Sequence, residues 1–212
     1  MVSQALLSEA CTHAMTYDNK KVAGALVIFG AVQFLLLLVV AEALYPDFSI
    51  SKNVISDLGV GSTAFIFNSS VFLCGLTLVA GAYFVHRVFK YRLLFIFLVL
   101  AGVGAMGVGL FPMNHRVPHG IAATIAFFFG SLSAIVSYKL QKSPLSYFSV
   151  VLGGLSLVAL VLFIVCLRCI LSGGHVCPAC LGLGPGGIEH LIVYPTLLWG
   201  IGFGGYLIGS SE

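Results

Sequence analysis

Two sets of side chains in this sequence are able to do chemistry. The first is polar and ionisable: Ser56, Asp57, Asn114, His115, His119, Glu189 and His190. Carboxylates and imidazoles arriving from separate segments can hold a divalent cation such as zinc, with His115, His119 and His190 as the nitrogen donors, or can leave Glu189 or Asp57 as a general base. The second set is two Cys-x-x-Cys motifs, Cys166-Leu-Arg-Cys169 and Cys177-Pro-Ala-Cys180. They suit structural disulfides, thiol–disulfide exchange that delivers electrons to a quinone, or a four-cysteine zinc clip, and four cysteines allow three pairings. Simpler roles exist for each polar residue. Asp57 lies in a Ser-Asp-Leu-Gly turn whose N–H groups its carboxylate can accept, and Glu189 falls in the first turn of a helix, where negative charge complements the helix dipole. His119 follows Pro118, a residue suited to the first helical position, whereas His115 precedes that start, so their spacing does not put both rings on one helical face.

The elements that must carry these residues are membrane helices. The 212 residues are 59% hydrophobic and 8% charged, with mean hydropathy +1.10, against about a quarter charged in a soluble domain. Apolar runs of crossing length occupy about Val22–Leu44, Thr63–Val85, Leu93–Phe111, Pro118–Tyr138, Leu145–Leu167 and Ile188–Ile208. Each reaches the roughly 20 residues that a hydrocarbon core requires. The fold class is therefore all-α, a polytopic six-helix bundle, with residues 1–21 as an N-terminal segment forming a short surface helix and 22–212 as one membrane domain. Ala41-Glu42-Ala43 looks like a signal-peptidase site, but the preceding apolar run is longer than a secretory core, so an uncleaved anchor is expected. Lys20, Lys21, Arg87, Lys90, Arg92, Lys139 and Lys142 fall on one side, and Lys52, Arg116 and Arg168 on the other. That bias predicts a cell-membrane protein with both termini cytoplasmic. A net charge of +3 spread over short loops gives no basic stripe for nucleic acid.

With that topology the two reactive sets share the outward face. Asp57 follows helix 1, His119 opens helix 4 and Glu189 opens helix 6, so three distant segments bring ionisable groups to one depth. Small residues at four-residue spacing, Ala101, Ala105 and Gly109 in helix 3 and Gly200 and Gly204 in helix 6, permit close helix packing, inside the bundle or between copies in a homo-oligomer. The glycine-rich run Leu181–Gly187 reads as a flexible outer loop instead of a phosphate cradle, because Pro185 removes a donor and Glu189 repels anions. Cys11 and Cys74 lie away from the motifs and are expected to be incidental.

Several of these segments resemble a known family. Tyr45-Pro46, Asn53-Val54-Ile55-Ser56-Asp57-Leu58-Gly59-Val60, Phe67-Asn68, Phe111-Pro112-Met113-Asn114 with His119, and Gly187-Ile188-Glu189 with Tyr194 are similar to the motifs of the prokaryotic membrane family called domain of unknown function 998, and more distantly to the Frag1/DRAM/Sfk1 group. The resemblance runs from Val22 onward. It implies a six-helix fold with Ser56, Asp57, Asn114, His119 and Glu189 near one membrane face, and implies no reaction. His190 and the four motif cysteines stand outside it.

Three functions follow as expectations. The leading one is an outward polar pocket, built from Ser56, Asp57, Asn114, His119 and Glu189, that binds a membrane lipid or small amphiphile. The second is a membrane thiol–disulfide oxidoreductase using Cys166, Cys169, Cys177 and Cys180 with a quinone, in the manner of the vitamin K epoxide reductase and DsbB families. The third is a metal-dependent intramembrane lipid hydrolase, since the histidine, serine and aspartate types are those a ceramidase-type enzyme places around zinc.

Overall fold

Backbone polar groups find no water in hydrocarbon, so apolar runs of this length satisfy their hydrogen bonds internally as helices. The computed structural model describes residues 2–173 and 177–210, with side chains from residue 19 onward, and contains six long helices. They are α1 (Val2–Leu44), α2 (Ala64–Phe89), α3 (Arg92–Leu110), α4 (Arg116–Val136), α5 (Leu145–Leu171) and α6 (Gly184–Gly209). All six are long and apolar enough to cross a membrane, the span in α1 beginning at Asn19.

Helices α2 and α5 each run four residues past the expected ends, to Phe89 and Leu171, and two further boundaries change how a segment is read. The first helix is continuous from Val2 and does not break at Lys20-Lys21, since no glycine or proline interrupts it before Gly24. The side chains of Met1, Ala5, Leu6, Ala10 and Cys11 lie outside the described residues. The last helix starts at Gly184, so Gly184 to Gly187 form its first turn and are not loop. A Cβ on Gly184 would collide with the Ser51 carbonyl, and one on Gly186 with the carbonyls of Ile50 and Asn53. The glycines are there because the α1–α2 connection crosses directly over the start of α6.

Helices adjacent in sequence pack side by side, and α6 returns against α1, closing a ring. Helix α4 also touches α6 across that ring, which leaves α5 outside, packed on α4 and α6. Small residues set the close crossings. Gly24 of α1 meets Gly204 of α6, Gly75 of α2 meets Gly102 of α3, and Gly109 meets the Asn68 carbonyl. The small-residue stripes of helices 3 and 6 thus serve contacts within the bundle.

The bundle has two distinct ends. At the terminal end, Lys20 Nζ donates to the Ser210 carbonyl at 3.3 Å and lies over the Phe89 ring. Just inside it sits a buried polar cluster: Trp199 Nε1 and Gln141 Nε2 donate to Ser137 Oγ at 2.9 and 3.1 Å, Ser137 donates to the Ala134 carbonyl, and Ser149 donates to Gln141 Oε1 at 2.6 Å. At the loop end, the α1–α2 connection folds into a 3-10 turn, Ile55–Gly59, whose Ile55 and Leu58 plug the bundle. That connection leaves α1 at Tyr45-Pro46, where proline has no N–H to continue the helix and Asp47 turns left-handed at φ 54°.

Candidate functional site

The polar residues at the loop end are positioned by three separate devices. Asp57 braces the connection itself: its Oδ2 accepts the Val54 N–H at 3.1 Å and the Asn53 side chain at 3.3 Å, while Asn53 Oδ1 accepts the Ser49 N–H at 3.1 Å. This presents the backbone N–H groups at the start of the 3-10 turn to α6. Glu189, 3% exposed, takes the first of them: Ile55 N–H donates to its Oε2 at 2.5 Å, and the Ser56 N–H lies close to the same carboxyl group. The carboxylate of one helix therefore caps the turn that follows another, across a separation of 134 residues.

His119 is fixed by the short α3–α4 turn. Its Nδ1 lies 2.8 Å from the Phe111 carbonyl. A carbonyl only accepts, so Nδ1 carries the hydrogen and Nε2 of the neutral ring is left as an acceptor. Ser56 Oγ donates a long bond to Met113 Sδ at 3.5 Å and accepts none among the described residues.

Ser56, His119 and Glu189 meet at one end of a cavity of about 130 Å³ lined by α1, α2, α3, α4, α6 and the 3-10 turn. Its remaining walls are largely apolar, including Phe34, Phe67, Ala105, Phe127, Val193 and Trp199, and the hydroxyls of Thr77 and Thr196 are bonded to the backbone of their own helices. Cys74, expected to be incidental, is part of this wall. Of the five residues assigned to a pocket from sequence, the structure brings three to the cavity. Asp57 is half-buried in the turn, and Asn114 is exposed on the α3–α4 turn.

The three histidines considered as metal ligands are not gathered. His115 is exposed at the N-cap of α4, and among the described residues no group of three His, Cys, Asp or Glu side chains is arranged to hold a metal ion. His190 has a different partner, one the sequence reading missed. Its Nδ1 lies 2.7 Å from the Gly186 carbonyl and its Nε2 2.8 Å from Glu42 Oε1. With Nδ1–H given to a carbonyl, the contact on Nε2 needs one proton shared with Glu42, as imidazolium with carboxylate or imidazole with carboxylic acid. The pair ties α1 to α6, and Tyr194 packs edge-on against the His190 ring at 5.1 Å. The available signal was an acidic residue inside an apolar helix, which is rarely without a partner.

The cysteines pair across the motifs. Cys166 and Cys180 form a disulfide, with Cα atoms 5.2 Å apart, that fastens the α5–α6 connection to the end of α5. Cys169 and Cys177 are free thiols that lie near each other. None of the four lines the cavity.

The family model described as "Protein of unknown function (DUF998)" matches residues 28–205. No curated protein and no solved structure matches the chain.

Proposed function

The chain belongs to the DUF998 family, and from that premise we propose that it binds a lipid or small amphiphile inside the bundle, tail among the helices and head at Ser56, His119 and Glu189. It is a membrane-type helical protein by its six spans. The observation that carries the reading is the cavity: a largely apolar slot within the bundle with its carboxyl, imidazole and least engaged hydroxyl together at one end. That is the division of chemistry an amphiphile has, and a few convergent polar groups in an apolar pocket are the usual mark of a ligand site. Retention of lysine and arginine in the cytoplasm turns this end outward in a cell membrane, with both termini inside.

The test is photolabelling of the purified chain in nanodiscs with an alkyl probe that carries a diazirine in its tail, followed by peptide mapping. Labels should concentrate on cavity residues of α4 and α6, such as Phe127 and Leu197, and decline when unlabelled amphiphile competes. Labelling confined to the lipid-facing perimeter, in residues such as Phe65 and Val158, would refute the pocket.

A further inference from the structure

The fixed polar groups of the cavity also select the head group, given the amphiphile reading above. Along the slot, each polar side chain that could donate is already committed. Thr77 Oγ1 donates to the carbonyls of Leu73 and Cys74, both at 3.0 Å, Thr196 Oγ1 to that of Val193 at 2.8 Å, and Trp199 Nε1 to Ser137 Oγ at 2.9 Å. What remains for a ligand lies at the other end, and it is rich in acceptors: the Glu189 carboxyl oxygens, Nε2 of His119 and the lone pairs of Ser56 Oγ. Glu189 is the sole acidic residue on the wall, and among the described residues no lysine or arginine lines the cavity. The cations at this end of the bundle, Lys52, Arg116 and Arg168, are all exposed, and none of them lines it.

An anionic head entering here would lose its water without gaining a cation, and would face Glu189. Phosphate and carboxylate recognition normally rests on arginine or lysine, and neither is present. A head that donates hydrogen bonds meets the opposite situation, since a hydroxyl can give its proton to His119 Nε2 or to Glu189, and an ammonium can pair with Glu189. The slot is also narrow. Glu189 and Trp199 are ten residues apart on α6, about 15 Å along the helix, and a volume of about 130 Å³ over that length admits no more than one short chain. For scale, a cavity of about 150 Å³ holds a benzene ring. We propose that the ligand is a single-chain amphiphile whose head donates hydrogen bonds, a hydroxyl or an ammonium, and that phosphate-headed and carboxylate-headed lipids are rejected.

Four diazirine probes with one alkyl chain and a hydroxyl, primary amine, carboxylate or phosphate head decide this on the unaltered protein in nanodiscs. The hydroxyl and amine probes should label cavity residues at least about tenfold more than the two anionic probes, the factor that one lost charge-assisted hydrogen bond supplies. Glu189→Gln should lower amine labelling severalfold and leave hydroxyl labelling nearly unchanged, a change of selectivity that a purely structural role would not produce. His119→Gln gives the complementary reading, weaker hydroxyl labelling with the amine retained, and stands in if Glu189→Gln does not fold. Equal or stronger cavity labelling by the phosphate or carboxylate probe overturns the head-group inference and leaves the amphiphile pocket standing. Failure of all four probes to label the cavity overturns both.

Discussion

The two ends of the bundle each bury a polar cluster, and the clusters differ in what their atoms still need. At the terminal end, Ser137, Gln141, Ser149 and Trp199 form a closed set: every side-chain nitrogen and oxygen among them has a hydrogen-bond partner within the protein. At the loop end, Ser56, His119 and Glu189 each give one face to the backbone or to Met113 and turn the other to a cavity. Burial of polar groups is common to both, so burial alone identifies neither. A closed set rigidifies the helices it joins, whereas an open set bordering an apolar slot is arranged for something that enters. The Glu42–His190 pair lies at the loop end but belongs with the closed kind, because both ring nitrogens and the carboxylate are engaged by protein atoms.

Mutations can break this division, and the largest expected effect is at Glu42. Glu42→Ala leaves His190 Nε2 buried and unpaired, and removing one member of a buried pair costs about 3–5 kcal/mol. Unfolding in detergent micelles, followed by thermal or steric-trap methods, should show that loss, while the protein that remains folded still photolabels in the cavity. Loss of labelling with stability intact would move this pair into the site. Next is Ser137→Ala, which strands Trp199 N–H and one Gln141 donor in the terminal-end cluster. Unfolding should become easier by about 1–3 kcal/mol, again with labelling retained. Smaller still is Asp57→Ala. Its carboxylate accepts the Val54 N–H as a helix cap would, so about 1 kcal/mol is expected. Because Asp57 holds the turn that Glu189 caps, labelling should weaken modestly without a change in head-group preference, measured with the same probe series.

How much of this was legible in the sequence follows from what kind of interaction each feature depends on. Six helices and their approximate ends follow from hydropathy and length, both local properties, and the described spans agree with that reading. The start of α6 was misjudged because Gly184 to Gly187 look like a loop until the α1–α2 connection is known to press on them. Among the site residues, Ser56, His119 and Glu189 were named, and each sits beside a helix end where a polar residue stands out against apolar neighbours. Asn114 was grouped with them on the same ground, yet it is exposed, since position in a turn does not fix the direction of a side chain. Glu42 stands out as an acid within an apolar helix, but its partner is 148 residues away and no spacing rule connects them. The walls of the cavity had no signature at all: a missing volume arises from how small residues on five helices fail to meet.

That last point yields the prediction with the smallest effect on folding. Gly130 of α4 lines the cavity, and a Cβ added there would meet only Thr196 Cγ2, at 3.9 Å. Gly130→Leu therefore has room for its side chain in the slot, and replacing glycine inside a helix by leucine gains up to about 1 kcal/mol of helix propensity. Filling apolar space adds burial in the same direction. Stability should stay level or rise slightly, while the larger side chain excludes the ligand and cavity photolabelling falls by at least about tenfold, the equivalent of 1.4 kcal/mol. A merely structural void would give only the first result, because plugging it would stabilise the bundle and change nothing else. A drop in stability would show instead that the slot is tighter than its walls indicate. Only the combination, a bundle that folds as well or better and binds worse, separates a site from a packing defect.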